Sequence, residues 1–405
     1  RAIESIHTGS CDMAIVGGVQ VMLTPAGHIS FGAAGMLADD GKCKTFDSRA
    51  NGYVRGEGSG AILIRPLEDA IADGDHIYAV VKSTAENHGG KATMLTAPNP
   101  NAQAAVIRRA IKDAGIDFHR VGYIECHGTG TELGDPVEIS GLKTVAKELL
   151  DADAAAEKQA VSPCYLGSIK SNIGHLEYGA GVVGMIKVIL QIRHRKIAKS
   201  LHCDTISPLI DLKRTPYKIA QQAVDWEVPA GQTRIGGVSS FGFGGANAHV
   251  IIEEYIDRDS GPVCDNPDIA QLLVFSARNA DILHDTLQAY PEFLSKTDRS
   301  ADTLRRIANT LQIGRAEMHE RVAFVVRSVD EFDELLQGFL QEKDNFYHRK
   351  VFRGSSRSGG GDKLDIGDTQ AGQEFMRRLV ETGEIEKIAE LWVKGAKLDW
   401  RILRP

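Results

Sequence analysis

From residue 11 to residue 256, apolar β-rich runs alternate with helical patterns. That alternation restricts the chain to folds in which helices pack against a largely buried sheet. Residues 11–18 read as a buried strand ending in glycines, 61–64 and 76–82 as further strands, and Leu67–Asp73 as the helix between them. Asn101 is placed to cap a helix over 102–114, with Gly115 as its stop. A strand follows at 122–126. Asp135-Pro136-Val137-Glu138 then reads as a helix start, with Asp as N-cap and Pro in the first turn, running to about Leu150. A strand at 165–169 leads to a strongly apolar helix over 181–194, which carries small residues at Gly181 and Gly184. Segments 235–239 and 249–253 read as an antiparallel pair around a Gly-rich turn.

The composition shifts after Glu254, and 257–267 reads as a linker. A second β/α unit follows: strand 272–276, helices around 282–294 and 301–311, strand 321–327, helix 329–341 and an amphipathic helix at 384–393. Residues 151–159 form a polar connector, and 354–372, rich in Ser, Gly and charge, read as a flexible loop. At roughly 150 residues per domain, 405 residues suit two or three domains. The boundaries expected are 1–256, 257–353, the loop 354–372 and a tail 373–405.

Composition removes several classes of function. The net charge of 47 − 54 = −7 gives no basic excess for nucleic-acid binding. No apolar run reaches the length of a membrane span. The six cysteines are scattered without a C-x-x-C pair, so no zinc ribbon or disulfide framework is indicated and a reducing, cytoplasmic setting is expected. Gly-rich stretches at 56–60 and 242–245 lead into strands, whereas a dinucleotide site needs its glycines to open a helix.

Three polar segments stand where strands end, which is where α/β folds place their sites. In the first, His127-Gly128-Thr129-Gly130-Thr131 follows a strand and offers an imidazole, two hydroxyls and free backbone donors. In the second, Lys170-Ser171-Asn172-Ile173-Gly174-His175 precedes the apolar helix, whose N-terminus would keep His175 neutral. The third, Ser239-Ser240-Phe241-Gly242-Phe243-Gly244-Gly245-Ala246-Asn247, reads either as a tight hairpin or as a gate with Phe at its tip. A single histidine is more often structural than catalytic; two at strand edges among small polar residues favour a site.

These segments resemble the β-ketoacyl synthases of the thiolase fold. Asn51-Gly52-Tyr53-Val54-Arg55-Gly56-Glu57-Gly58 and Gly134-Asp135-Pro136-Val137-Glu138 are similarly family-like. Asp73-Gly74-Asp75-His76-Ile77-Tyr78 and Asn87-His88-Gly89-Gly90 resemble ketosynthases of bacterial modular polyketide synthases whose acyltransferase acts in trans. The region from Leu272 resembles the small α/β linker domain that follows them. Ala389-Glu390-Leu391-Trp392-Val393-Lys394-Gly395 and Leu398-Asp399-Trp400 resemble the segment that wraps back onto the ketosynthase.

The resemblance implies a layered α-β-α-β-α fold, incomplete at its N-terminus, followed by the linker domain. It implies His127 and His175 as catalytic histidines with Lys170 supporting their electrostatics. Thr129 and Thr131 would contact the pantetheine arm, and Phe243, Gly244 and Asn247 would form the gate. No cofactor or metal is implied; substrates would ride on the phosphopantetheine of acyl-carrier proteins. The reaction implied is decarboxylative condensation of an acyl thioester with a malonyl-carrier protein. The family's nucleophilic cysteine precedes the segment matched by Arg1 to Gly9, so an N-terminal ketosynthase part is the expected partner, in a homodimer. Cys11 and Cys126 fit buried strand positions instead. A transfer-only ketosynthase and a silent docking scaffold are the alternative readings.

Overall fold

The computed structural model describes residues 1–90, 97–152, 162–256, 269–342, 346–356, 369–398 and 400. It divides into two compact units, Arg1–Ile256 and Asp257–Pro405. The first unit opens with α1 (Ala2–His7), β1 (Ala14–Gln20), α2 (Ala26–Ala33), β2 (Gly58–Ile64), α3 (Leu67–Asp73), β3 (Val80–His88) and α4 (Pro100–Asp113). It continues through β4 (Val121–Glu125), α5 (Gly134–Ala152), β5 (Cys164–Gly167), α6 (Lys170–Ile173) and α7 (Ala180–His194). It closes with β6 (Lys196–Ile197), β7 (Tyr217–Ile219), β8 (Val224–Asp225), β9 (Ile235–Phe241) and β10 (Ala246–Glu253).

The main sheet has the order β3-β10-β9-β4-β5-β7. Strands β9, β4, β5 and β7 are parallel, and β10 runs antiparallel to both of its neighbours. Parallel strands are covered on both faces, so they are apolar without alternation. In β4, Ile124 packs with Ile107, Leu142 and Leu166 on the α4–α5 side. Its neighbour Tyr123 points the other way, into a cluster with Val188, Ile192, Trp226 and Val238 on the α7 side. Helix α7 also packs on β1 and β2, which pair antiparallel. Being covered on two sides explains why α7 is apolar nearly all round. The resulting layers are α4–α5, main sheet, α7 and the β1–β2 pair.

Local rules account for the shifts from the expected boundaries. Pro100 has no N–H to lose and takes the first helical position, so Asn99, not Asn101, caps α4 by accepting from the amides of Asn101 and Ala102. Helix α5 starts at Gly134, which places Asp135 inside the first turn rather than at the cap. The connector continues α5 to Ala152, and its residues from 153 on lie outside the described residues, as does the linker 257–267.

The second unit contains β11 (Gln271–Ala277), α8 (Ala280–Gln288), α9 (Tyr290–Ser295), α10 (Ala301–Ile313), β12 (Glu320–Val326) and α11 (Val329–Glu342). It ends with β13 (Val351–Ser355), α12 (Gln370–Glu381) and α13 (Ile385–Val393). The strands form one antiparallel sheet, β11-β12-β13. The single helix expected over 282–294 is two helices, broken where Pro291 enters at the start of α9. Strand β13 and helix α12 were not legible in the sequence; most of the loop expected at 354–372 (residues 357–368) lies outside the described residues, as does Asp399. Helix α13 packs on β12 and β13, with Trp392 and Trp400 in the second unit's core.

Arg321 ties that tail to the sheet. Its guanidinium donates to the carbonyls of Met318 and Trp392 and lies 4.8 Å from the Trp392 ring centroid. The indole N–H groups of Trp392 and Trp400 both donate to Glu317 Oε1, at 3.0 and 3.2 Å. Replacing Trp392 by Ala removes this fully buried ring, and urea denaturation should show a loss of about 3–5 kcal/mol.

Candidate active site

The loop after β4 has its shape imposed by two carboxylates near the start of α5. Glu138 accepts the N–H of His127 and of Gly128, one on each oxygen, both at 2.8 Å. Asp135 accepts the N–H of Phe46 at 2.7 Å and of Gly130 at 3.1 Å. Both carboxylates are buried. Burial pushes both pKa values up, Asp135 to about 6, while the donated N–H groups pull the other way. Gly128 and Gly130 have φ of +44° and +77°, a region that favours glycine. A Cβ at Gly128 would come within 2.7 Å of Thr45 Cγ2, and the Thr45 hydroxyl donates to the Gly128 carbonyl.

The turn after β5 is held in a similar way. His175 N–H donates to the Val54 carbonyl at 2.7 Å, and Gly56 N–H donates to the His175 carbonyl at 3.0 Å. The stretch around Asn51–Gly58 therefore serves as a short edge for the histidine turn. Beside it Arg55 makes a two-pronged ion pair with Glu177, at 2.6 and 3.0 Å.

These two turns bring the expected histidines together. The ring centroids of His127 and His175 are 5.4 Å apart, edge to face, and Tyr53 stands 5.4 Å from His175 on another side. Each ring is oriented by a backbone donor at Nδ1: Phe241 N–H to His127 at 3.3 Å, and Glu177 N–H to His175 at 2.9 Å. An Nδ1 that accepts is unprotonated, so the neutral tautomer of each ring carries its proton on Nε2. Burial holds both rings neutral, with Lys170 adding to the effect and, for His127, His175 as well; His127 is held well below its ordinary range and His175 is lowered to about 3. The sequence reading assigned the neutrality of His175 to the N-terminus of the apolar helix. The turn Glu177–Gly179 separates His175 from α7, and burial with Lys170 is the cause instead.

Lys170 is buried in the first turn of α6. Burial lowers its pKa, and the charges of Glu125 and Glu138 oppose that shift. Thr129 and Thr131 are half-buried with hydroxyls 3.1 Å apart. The Gly-rich stretch is a hairpin turn joining β9 and β10, closed by Gly245 N–H to the Gly242 carbonyl. Phe243 stands exposed on it, 6.5 Å from the ring of Phe31. The amide that reaches His127 belongs to Phe241, two residues earlier. Gly244 is held through its carbonyl by His88 Nε2 at 3.0 Å, and His88 Nδ1 accepts from Gly90 N–H. Asn247 is buried and donates to Asn87 Oδ1 on β3, so its side chain ties the hairpin to the sheet edge.

The sequence reading took Asp135 and Glu138 for a helix start and did not single out Glu125 at all. The signal for Glu125 was present: a lone acid between Ile124 and Cys126 in an otherwise apolar strand. Cys43, Cys126, Cys164 and Cys203 are buried, and desolvation raises each thiol pKa, which makes them poor nucleophiles. Among the described residues no cluster of His, Cys, Asp or Glu is suited to hold a metal ion, and no helix is long and apolar enough to cross a membrane.

Residues 1–70 match the beta-ketoacyl synthase N-terminal domain, 78–204 the beta-ketoacyl synthase C-terminal domain, and 274–343 the RhiE-like KS-MAT linker domain. The ketosynthase from module 6 of the bacillaene synthase of Bacillus subtilis 168 superposes with a TM-score of 0.79 at 35% identity, over 100% of this chain and 68% of that one. The chain belongs to the ketosynthase family of polyketide synthases. Its fold is the thiolase-like fold of that family. The oxazolomycin ketosynthase domain OzmH KS7 of Streptomyces albus JA3453 gives a TM-score of 0.76 at 34% identity, over 98% of this chain and 63% of that one. Polyketide synthase PksN of Bacillus subtilis is 44% identical over 99% of this chain, and PksL of the same organism 39% over 99%. The chain spans 7% of the length of PksN and 9% of PksL.

In this ketosynthase the two depressed histidines set a pH dependence of stability. Below pH 6.5 the unfolded chain binds protons that the folded rings refuse, so their contribution is complete above that value and is lost as pH falls towards 3. Replacing His175 by Asn should flatten the acid limb of a stability-against-pH series. Glu138→Gln should release the turn, because a side-chain amide cannot accept two N–H groups as a carboxylate does. Hydrogen exchange at the His127 and Gly128 amides should then accelerate by at least about 10-fold, the effect of losing roughly 1.4 kcal/mol of protection.

Proposed function

We propose that this chain carries the condensing half of a ketosynthase site, which decarboxylates a malonyl unit and directs the resulting carbanion at an acyl thioester. The observation that carries this reading is the pair of neutral imidazoles 5.4 Å apart, each with Nδ1 occupied by a backbone N–H and Nε2 left as donor. Loss of CO2 from a malonyl thioester leaves its electron pair as an enolate, with charge on the thioester oxygen. Two N–H donors that need no reorganisation stabilise that oxygen. Imidazolium rings would protonate the carbanion; rings held neutral do not. The carbanion then attacks the carbonyl carbon of an acyl-cysteine, a C–C bond forms, and the thiolate leaves.

Thr129 and Thr131 are suited to hydrogen-bond the pantetheine arm, and Phe243 to shield the carbanion from water. Gly244 and Asn247 would act by fixing the turn that carries Phe243. The buried, raised thiols of Cys43, Cys126, Cys164 and Cys203 favour a nucleophile supplied by a cysteine-bearing ketosynthase segment outside this chain. The partners proposed are therefore that segment, two acyl-carrier proteins and a second copy in a homodimer, in the cytoplasm. The linker-domain match and the Asn87-His88-Gly89-Gly90 stretch support a synthase whose acyltransferase acts in trans.

The test incubates this chain, together with the cysteine-bearing segment, with a short acyl-pantetheine thioester and reads intact masses. The acyl mass should appear on the added segment only; acylation of Cys11 or Cys126 would overturn the assignment. His127→Ala and His175→Ala should each slow malonyl decarboxylation at least about 100-fold without removing the acylation, since each deletes an enolate donor.

A further inference from the structure

Glu125 is the residue through which the site's backbone and its buried charges meet. It ends β4, two positions before His127, and its side chain is 2% exposed. Because strand residues alternate, it shares the α7 face with Tyr123. Oε1 accepts the N–H of Ile169, the residue immediately before Lys170. Oε2 accepts the Tyr123 hydroxyl at 2.7 Å and lies 2.8 Å from Lys187 Nζ of α7. That last contact is one of charge: Nζ has no directed hydrogen bond. The helix keeps room for the acid at Gly184, where a Cβ would approach Glu125 Cγ to 3.3 Å.

We propose that Glu125, with Lys187 as counter-ion, is a positioning residue of the histidine–lysine site, fixing the turn that carries Lys170 and supplying the negative charge against which that lysine is buried. The proposal rests on the ketosynthase reading of the site and adds a residue to it. A buried ion pair contributes little net stability, and apolar residues of equal size would pack there about as well. Stability alone therefore gives no reason for a carboxylate at this place. The Ile169 amide and the Lys170 ammonium do. Other groups facing Lys170 are Glu138 and Asp135 from α5, Cys43, Cys126, His127 and His175. Among the acids, Glu125 opposes the desolvation of Lys170 most strongly.

The experiment compares Glu125→Gln, Lys187→Met and the double variant in the chain complemented by its cysteine-bearing segment. Malonyl-thioester decarboxylation, thermal stability and the Ile169 amide proton shift are read together. Glu125→Gln should lower kcat about 10-fold or more with KM within about twofold, and should move the alkaline limb of the pH profile to lower pH, as expected when an ammonium loses a nearby negative charge. The double variant should regain part of the stability, since Lys187 no longer leaves an unpaired ammonium beside the strand, yet stay slow because Lys170 and the Ile169 turn still lack the carboxylate. Activity that returns with stability in the double variant would make the pair purely structural and overturn the proposal, as would unaltered kcat and alkaline limb in Glu125→Gln. If the unsubstituted protein does not decarboxylate, the ketosynthase reading fails separately. The placement is then judged on Ile169 alone: an amide proton that moves upfield in Glu125→Gln upholds the contact, and one that stays refutes it.

Discussion

One buried carboxylate accepting two consecutive backbone N–H groups organises the site. Glu138 holds the amides of His127 and Gly128, and without an acceptor those donors would be stranded at the end of a buried strand. The contact bends the chain sharply after β4, and Asp135 secures the next bend at Gly130. Asp135 comes from the first helical turn of α5, where the positive end of the helix dipole favours negative charge, and Glu138 follows at the start of the next turn. The backbone position of His127 is thereby fixed, and the Phe241 N–H then orients its ring.

The same economy recurs on the other side of the site. His175 takes its place because Val54 and Gly56 bracket its backbone, and its ring is turned by Glu177 N–H. Glu177 sits at φ +40°, a strained value for a residue with a side chain, and its ion pair with Arg55 and hydrogen bond from Gln20 hold it there. Neutral imidazoles, a buried ammonium at Lys170 and three buried acids thus form one electrostatic unit in which each charge is offset by another or by N–H donors. A positive Lys170 close to both rings favours electron density on whatever they bind and disfavours protonation of the rings themselves.

Much of this was legible in the sequence because it lies in motifs whose chemistry depends on local spacing. The strand-end positions of His127 and His175, the small residues Gly181 and Gly184 of α7 and the antiparallel pair around 242–245 follow from alternation and glycine placement. What escaped was non-local. Asp135 satisfies the rule for a helix cap, and only the fold shows that its oxygens are taken by Phe46 and Gly130. Asn101 lost the cap to Asn99 because Pro100 fits only one register. Strand β13 and helix α12 border a stretch of charge and glycine, and their pattern emerges only once β12 and the Trp392 core are in place. Glu125 looked like a charge misplaced in a strand until Lys187, distant in sequence, arrived from α7.

Everything in the site turns on both imidazoles being neutral, with the proton on Nε2. Nitrogen-15 spectra of the histidine side chains at pH 7 read that state. His127 and His175 should each show an unprotonated Nδ1 and a protonated Nε2, with no titration down to pH 5. Imidazolium shifts at pH 7, or a proton on Nδ1 of either ring, would contradict it.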